Sequence, residues 1–480
     1  MSHNFKKIAA ASLAIVCAAS MTGCADSGYI GTVNGIQIPN GLYLFYIAVN
    51  GYNDAKTQIK EERDSDSTAE VTVFNNTIEG KTASAWLKDN AVEDLRRFAA
   101  VEDLFSQYGL SLTDEELTKI SDSMNSLDDD LGMYAQYYGL PDGISSYGAY
   151  YESLGIGKSS LRMVSENSYK ENHVFLHNYD TDGLTPVSDD EINTYLTENY
   201  AAVKFLKLSF TDYQGLELKD DAAIQEIKDL AQAYADRYNS TGDWSEIRYD
   251  FDLRQAQFDA WTKADDDYAK QKSEEAAAGT AEAEPEAQNE PAPTTAEAAT
   301  AENAATAEAP AEETASTAEA ASTSESTAEA ADGEVEASSD TIFVKPVVNT
   351  DDADYNKFAQ DAIDAATAEK KDADSLETYI KKDSSTLDEK LTEYIWNAQA
   401  DSKATLFTDE NSNCIYVVVR DDVTTMESWK TTQHENFLHA LKDDAFEELL
   451  RNTYANYVVD LDDYLVNTKY APEKLRGIGE

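Results

Sequence analysis

Residues 187–210 read VSDDEINTYLTENYAAVKFLKLSF, and a change of pattern inside this stretch decides the fold class. Ser188 stands three residues before Glu191, the spacing of a capping box that starts a helix. From Val203 to Phe210 the chain becomes apolar-rich and reads as a strand. Upstream of this junction the patterns are helical. Leu87, Ala91, Leu95, Phe98, Val101, Phe105 and Tyr108 recur at helical spacing, and Gly109 offers a stop. Thr113 and Glu116 repeat the capping box, with Leu112 before them, and Ser159 or Ser160 is expected to cap a helix running toward Tyr179. Near the start, Asn34-Gly35 between the β-prone runs Thr32-Val33 and Ile36-Gln37-Ile38 predicts a tight hairpin. A helix is expected from Pro39 or Asn40. Downstream, Ile224, Ile227, Leu230, Tyr234 and Tyr238 form one helical stripe, and Cys414 to Val419 (CIYVVV) is the clearest strand. A long helix is expected from about Glu427 to Tyr457, with Leu438, Leu441, Ala445 and Leu449 in register. The fold class read from these patterns is α+β, mainly helical.

Outside these elements, composition sets the limits. The chain has 480 residues, enough for two or three domains, and a formal net charge of −54. So acidic a surface repels nucleic acid and anionic lipid. From about Lys272 to Asp340 the chain is Ala, Glu, Thr, Ser and Pro without an aromatic, and TAEA recurs at Thr280, Thr295, Thr306, Thr317 and Thr327. Such a segment buries too little apolar surface to offset chain entropy, so residues 272–340 read as a disordered acidic linker.

The first residues have the parts of an export signal. Lys6 and Lys7 precede the uncharged run Ile8 to Ala19, which is shorter than the roughly 20 residues a membrane-spanning helix needs. Met21-Thr22-Gly23-Cys24 resembles the bacterial lipobox, which implies removal of residues 1–23 and lipid on Cys24. That placement is on the extracytoplasmic face of the membrane, with the lipid as anchor. Of the three cysteines, Cys17 would leave with the signal and Cys24 carry lipid, so Cys414 is left without a disulfide partner.

Taken in order, three stretches resemble the SurA/PrsA class of extracytoplasmic foldases. TVNGIQIPNGLYLFY (32–46) is similar to the opening of that class, and residues 187–210 to the junction where its helical region meets a parvulin-type prolyl isomerase domain. LTEYIWNAQADSKATLFTDENSNCIYVVVRDDV (391–423) is similar to the end of that domain, and YAPEKL (470–475) to the return of the chain to the helical lobe. The resemblance implies a helical peptide-binding lobe built from residues 24–198 and 426–480. Between them would lie a divergent parvulin-like α/β domain, 199–425, interrupted by the linker. It implies unfolded or nascent exported polypeptides as partners and no cofactor.

Parvulin chemistry uses two strand histidines, commonly in RHIL and GYHII. Here VKFLKLS (203–209) has none, and CIYVVV places Tyr416 where the second would be, so Tyr416 is the one catalytic candidate. The expectation is therefore a chaperone without isomerase activity; an active isomerase, a solute-binding lipoprotein and a surface spacer are the alternatives. Peptide contact falls to Tyr134, Tyr137, Tyr138, Tyr147, Tyr150 and Tyr151, grouped near Met133, because Tyr and Met adapt to varied partners. A core between helices is the competing account of that group. His173 and His177 share a helix face, but HVFLH lacks the Glu of a zinc-protease helix, and no metal is expected.

Overall fold

β1 (Tyr29–Val33) pairs antiparallel with β2 (Ile36–Pro39), and the turn between them holds Asn34 at φ 48° and Gly35 at φ 83°. Positive φ at both central residues is the type I′ geometry that Asn-Gly supplies at low cost. The structure, a computed structural model, describes residues 28–62, 73–281, 342–343, 345–369 and 378–474. The signal segment, Cys24 and residues 282–340 of the linker reading lie outside these residues.

After the hairpin, α1 (Asn40–Phe45) runs through a π-helical turn at Tyr46–Gly51 into α2 (Tyr52–Glu62). A small hairpin, β3 (Thr77–Ile78) with β4 (Lys81–Thr82), leads into α3 (Ala83–Tyr108). Thr82 caps α3 at one end and Gly109, at φ 69°, closes the other. Next come α4 (Asp114–Ser126), α5 (Tyr147–Ser153), α6 (Lys158–Tyr179) and α7 (Asp189–Asn199). Both capping boxes form: Thr113 with Glu116, and Ser188 with Glu191. Then β5 (Tyr200–Ser209), α8 (Asp221–Thr241), α9 (Trp244–Ala281), α10 (Ala353–Glu369), β6 (Thr378–Lys381), α11 (Glu389–Asn397), β7 (Ala404–Asp409) and β8 (Cys414–Asp421) follow. The chain ends through α12 (Glu427–Thr432), α13 (His434–Tyr454) and β9 (Val459–Leu461). The fold is α+β and mainly helical, with small antiparallel sheets.

The chain divides into two compact units, one comprising Met1–Glu198 with Thr424–Glu480, the other Asn199–Val423. In the first, β9 adds to β1 on the side away from β2, giving the order β2-β1-β9. Gly31 permits this. It sits at φ 153°, and a Cβ there would lie 2.1 Å from the Asp460 carbonyl oxygen. Beneath the sheet, Ile30, Val33, Ile38, Leu42 and Tyr43 pack against Leu95 and Phe98 of α3. Arg97 then ties three helices, donating to Glu171 of α6 at 2.6 Å and to Glu447 of α13 at 2.5 Å.

The second unit is a four-stranded antiparallel sheet of order β6-β5-β8-β7. Leu206, Leu208, Ile415, Val417 and Val419 face Tyr234, Tyr238 and Trp244 on one side. Val203, Tyr416 and Val418 face Leu391 and Ile395 of α11 on the other. Covered on both faces, β8 is a continuous apolar run instead of an alternating one.

Three local expectations need correction. Gly157 is the N-cap of α6, not Ser159 or Ser160, because the helix starts at Lys158. The long C-terminal helix is broken at Gln433 into α12 and α13. Of the expected stripe, Leu438 is buried and Leu441 and Leu449 are half-buried, but Ala445 is exposed, because its neighbour Phe446 takes the place against Phe175 and Tyr179. Last, Lys272 to Ala281, assigned to the linker, continue α9. Their Ala, Glu and Lys residues favour helix once a packed turn precedes them.

Candidate functional site

Between α4 and α5 the chain folds into a tight loop that carries half of the predicted aromatic contacts. Leu131 N–H donates to the Ser145 carbonyl at 2.8 Å and Gly148 N–H to the Leu127 carbonyl at 2.6 Å, closing its base. Gly148 permits this close approach: an added Cβ would fall 2.4 Å from Asp128 Oδ1, which would have to swing aside, and 3.0 Å from the Leu127 carbonyl oxygen. Buried Ala135 and Leu140 anchor the loop from within, and Gln136 Nε2 reaches Asp142 at 2.6 Å. Its outer surface then presents Met133, Tyr134, Tyr137 and Tyr138, at 87%, 62%, 83% and 53% exposure. Tyr137 and Tyr138 meet edge to face, with centroids 5.3 Å apart. Exposed side chains of this size, held on a pinned backbone, offer amphipathic area at low ordering cost.

The other three tyrosines of the group divide from these. Tyr150 and Tyr151 pack against the core that holds Leu44, Trp86 and Leu154, and burial raises both hydroxyl pKa values. Tyr147 is half-buried at the start of α5. The six predicted contact residues are therefore three exposed tyrosines and three half-buried ones, of which Tyr150 and Tyr151 pack against that core.

Tyr416 lies in the middle of β8, opposite Lys207 of β5 and Phe407 of β7. It is 4% exposed, with its ring 6.2 Å from that of Phe205 and 6.0 Å from that of Phe407. Burial, and then its bond with the Cys414 thiol, push the hydroxyl above its ordinary pKa. The Lys207 ammonium stands 5.9 Å from the ring centroid. No histidine occurs anywhere in residues 199–423. Around Tyr416 lie aromatic rings, the Lys207 ammonium and a thiol that burial keeps protonated, and the charges of Asp388 and Asp409 raise its hydroxyl further.

Each described histidine of the helical unit is engaged locally. His173 Nε2 lies 2.7 Å from Glu116, and the His177 ring lies tilted against that of Tyr108, centroids 4.4 Å apart. His434 meets Asp180 at 2.9 Å, and His439 lies flat on Phe175 at 3.9 Å. Among the described residues, no group of three potential ligands gathers to hold a metal.

Sequence reasoning missed a cavity of 650 Å³ in the second unit, lined by Lys207, Tyr213, Phe251, Arg254, Phe258 and Lys263 among others. Arg254 is its unusual member. The residue is 4% exposed, and its guanidinium lies 4.4 Å from the Phe258 centroid and 5.4 Å from that of Phe343. Burial pulls its pKa down, and its Nε finds no hydrogen-bond partner. Phe251, Arg254 and Phe258 stand at helical spacing on α9, the one signal that could have drawn attention to it.

Compared with family models, curated proteins and solved structures, the chain matches none.

Proposed function

We propose that this protein is a lipid-anchored extracytoplasmic chaperone of SurA/PrsA type that shields unfolded exported polypeptides and does not isomerise proline bonds. The observation that carries the proposal is the pinned loop with Met133, Tyr134, Tyr137 and Tyr138 turned outward. A monomeric surface gains nothing in stability from four such side chains, whereas an unfolded client offers the apolar partners they lack. The anchoring and placement rest on the sequence MTGC at 21–24 and the short apolar run before it. A sheet unit lying in sequence between the two parts of a helical unit is the arrangement the foldase resemblance implies, and it supports the family reading.

The absence of isomerase activity rests on Tyr416. Rotation about the peptide bond meets a barrier of roughly 18–20 kcal/mol, and lowering it needs polar groups around an accessible amide. Tyr416 is enclosed instead by Phe205 and Phe407.

The test uses purified protein at stoichiometric concentration with a denatured model client. The wild type should delay aggregation while X-Pro exchange in a short peptide stays at its uncatalysed rate. Replacing Tyr134, Tyr137 and Tyr138 together by Ser should remove most of the delay with helical circular dichroism unchanged. Equal protection by the triple variant would sink the surface assignment, and rapid exchange would sink the non-catalytic one.

A further inference from the structure

The Arg254 cavity lies within the second unit, whereas the exposed aromatic loop belongs to the first. Its floor and its rim differ electrically. Asp259, Lys263, Asp266 and Lys207 are exposed at the rim, where water and salt screen their charges. Asp212, also at the cavity, spends its carboxylate on the turn N–H groups of Gln214 and Leu216, each at 2.9 Å. Arg254 is the buried cation. No carboxylate among the described residues forms an ion pair with it, although Asp250 stands one turn away on α9. The Asp250 carboxyl is turned to the Tyr234 hydroxyl at 2.8 Å and the Phe343 N–H at 3.1 Å.

A guanidinium taken out of water without a counter-charge is costly, and protein interiors normally pair it. Here the two phenyl rings of Phe258 and Phe343 hold it in place through cation–π contact, which fixes its position without using its hydrogen-bonding edge. A planar fork of N–H donors held this way at the bottom of a cavity matches a planar carboxylate. Phe251 and Phe258 supply apolar wall beside it. The three aspartates around the cavity weigh against a phosphate dianion, which they would repel more strongly than a single negative charge.

The geometry points to a carboxylate-binding site in which Arg254 receives the carboxylate of a ligand whose apolar or aromatic group lies against Phe251 and Phe258. The carboxylate could be the C-terminus of a peptide or that of a small organic acid; both present the same chemistry to the guanidinium.

Calorimetric titration of the full chain tests this with N-acetyl-phenylalanine, its amide, and 3-phenylpropionate. The N-acetyl acid should bind at least about tenfold more tightly than the amide, the scale of a lost charge-assisted pair. Binding of 3-phenylpropionate as well would assign the site to organic acids generally; binding of the acetylated amino acid alone would assign it to peptide termini. Arg254→Lys should weaken acid binding about tenfold, since an ammonium keeps the charge but loses the fork. Arg254→Met should abolish it while the thermal midpoint stays level or rises, because a buried unpaired charge has been replaced by an apolar chain. A fall in the midpoint of Arg254→Met with acid binding retained would assign Arg254 a purely structural role. Equal binding of acid and amide, or binding of neither, overturns the site. Displacement of the acid by inorganic phosphate at lower concentration than by 3-phenylpropionate overturns the carboxylate assignment.

Discussion

Asp94 of α3 has one carboxylate oxygen buried without a hydrogen-bond partner. Burial first, and then the charge of Asp54, raise its pKa to about 7, against the pull of Arg97. A carboxyl in the unfolded chain titrates near 4, so the folded state holds this proton over a window in which the unfolded state has released it. The stability associated with that proton is full below pH about 4 and is lost as pH rises through about 7. Asp94→Asn should flatten this part of the stability–pH curve and raise the unfolding free energy at pH 8, by an order of about 2–4 kcal/mol. Denaturant unfolding at pH 5 and pH 8 checks it; a variant with the same pH dependence as the wild type would refute the assignment. Nothing in the sequence flagged Asp94. It stands in an Asp/Glu-rich chain like many others, and only its burial and the nearby charge of Asp54 make it unusual.

Among the elements, the helix starts were legible because a capping box is a contact within four residues. Ser188 illustrates the energetics. Its hydroxyl accepts from Glu191 N–H at 3.2 Å, and Glu191 accepts in return from Ser188 N–H at 2.9 Å and from Lys442 at 2.9 Å. The Ser188 N–H, then Lys442, hold the Glu191 carboxyl down at about 2. Its contribution is therefore present above pH about 4.5 and lost as pH falls through about 2. Ser188→Ala should cost about 1 kcal/mol at pH 7, and less near pH 2, where about half of the Glu191 carboxyls are protonated. Chemical denaturation at both pH values measures it, and an equal cost at each would separate the cap from Glu191 ionisation. The start of α6 was misread for a related reason. Two serines beside Gly157 offer capping hydroxyls, yet the backbone begins its helical turn at Lys158 and leaves both serines inside. The aromatic loop between α4 and α5 has no periodic pattern at all, so its residue types suggested contact without showing which side chains would be outside.

At the scale of the whole molecule, the helical unit depends on its C-terminal part. β9 pairs with β1, the Tyr457 hydroxyl donates to Asp103 at 2.6 Å, and Glu447 of α13 receives Arg97. Ending the chain after Val423 removes all of these and bares Phe175 and Tyr179, which pack on Phe446 of α13. Such a protein should bind a hydrophobic dye strongly and unfold with a lower midpoint. Gly31→Val tests the same dependence without deletion, since its side chain would strike Asp460 and force β9 away. A Gly31→Val protein with the wild-type midpoint would show that β9 adds little. By itself the sequence determined the Asn34-Gly35 hairpin, the capping boxes at Thr113 and Ser188, the Gly109 stop, and the β5 and β8 strands. Each is written in residues a few positions apart and follows from turn sterics, local hydrogen bonds or side-chain period. Only the tertiary structure decided that Tyr137 and Tyr138 face solvent while Tyr150 and Tyr151 lie half-buried against the core. It alone brought Phe343 from beyond the acidic segment onto Arg254 of α9. Burial and charge pairing depend on which distant residues arrive beside a side chain, and no local spacing encodes that arrival.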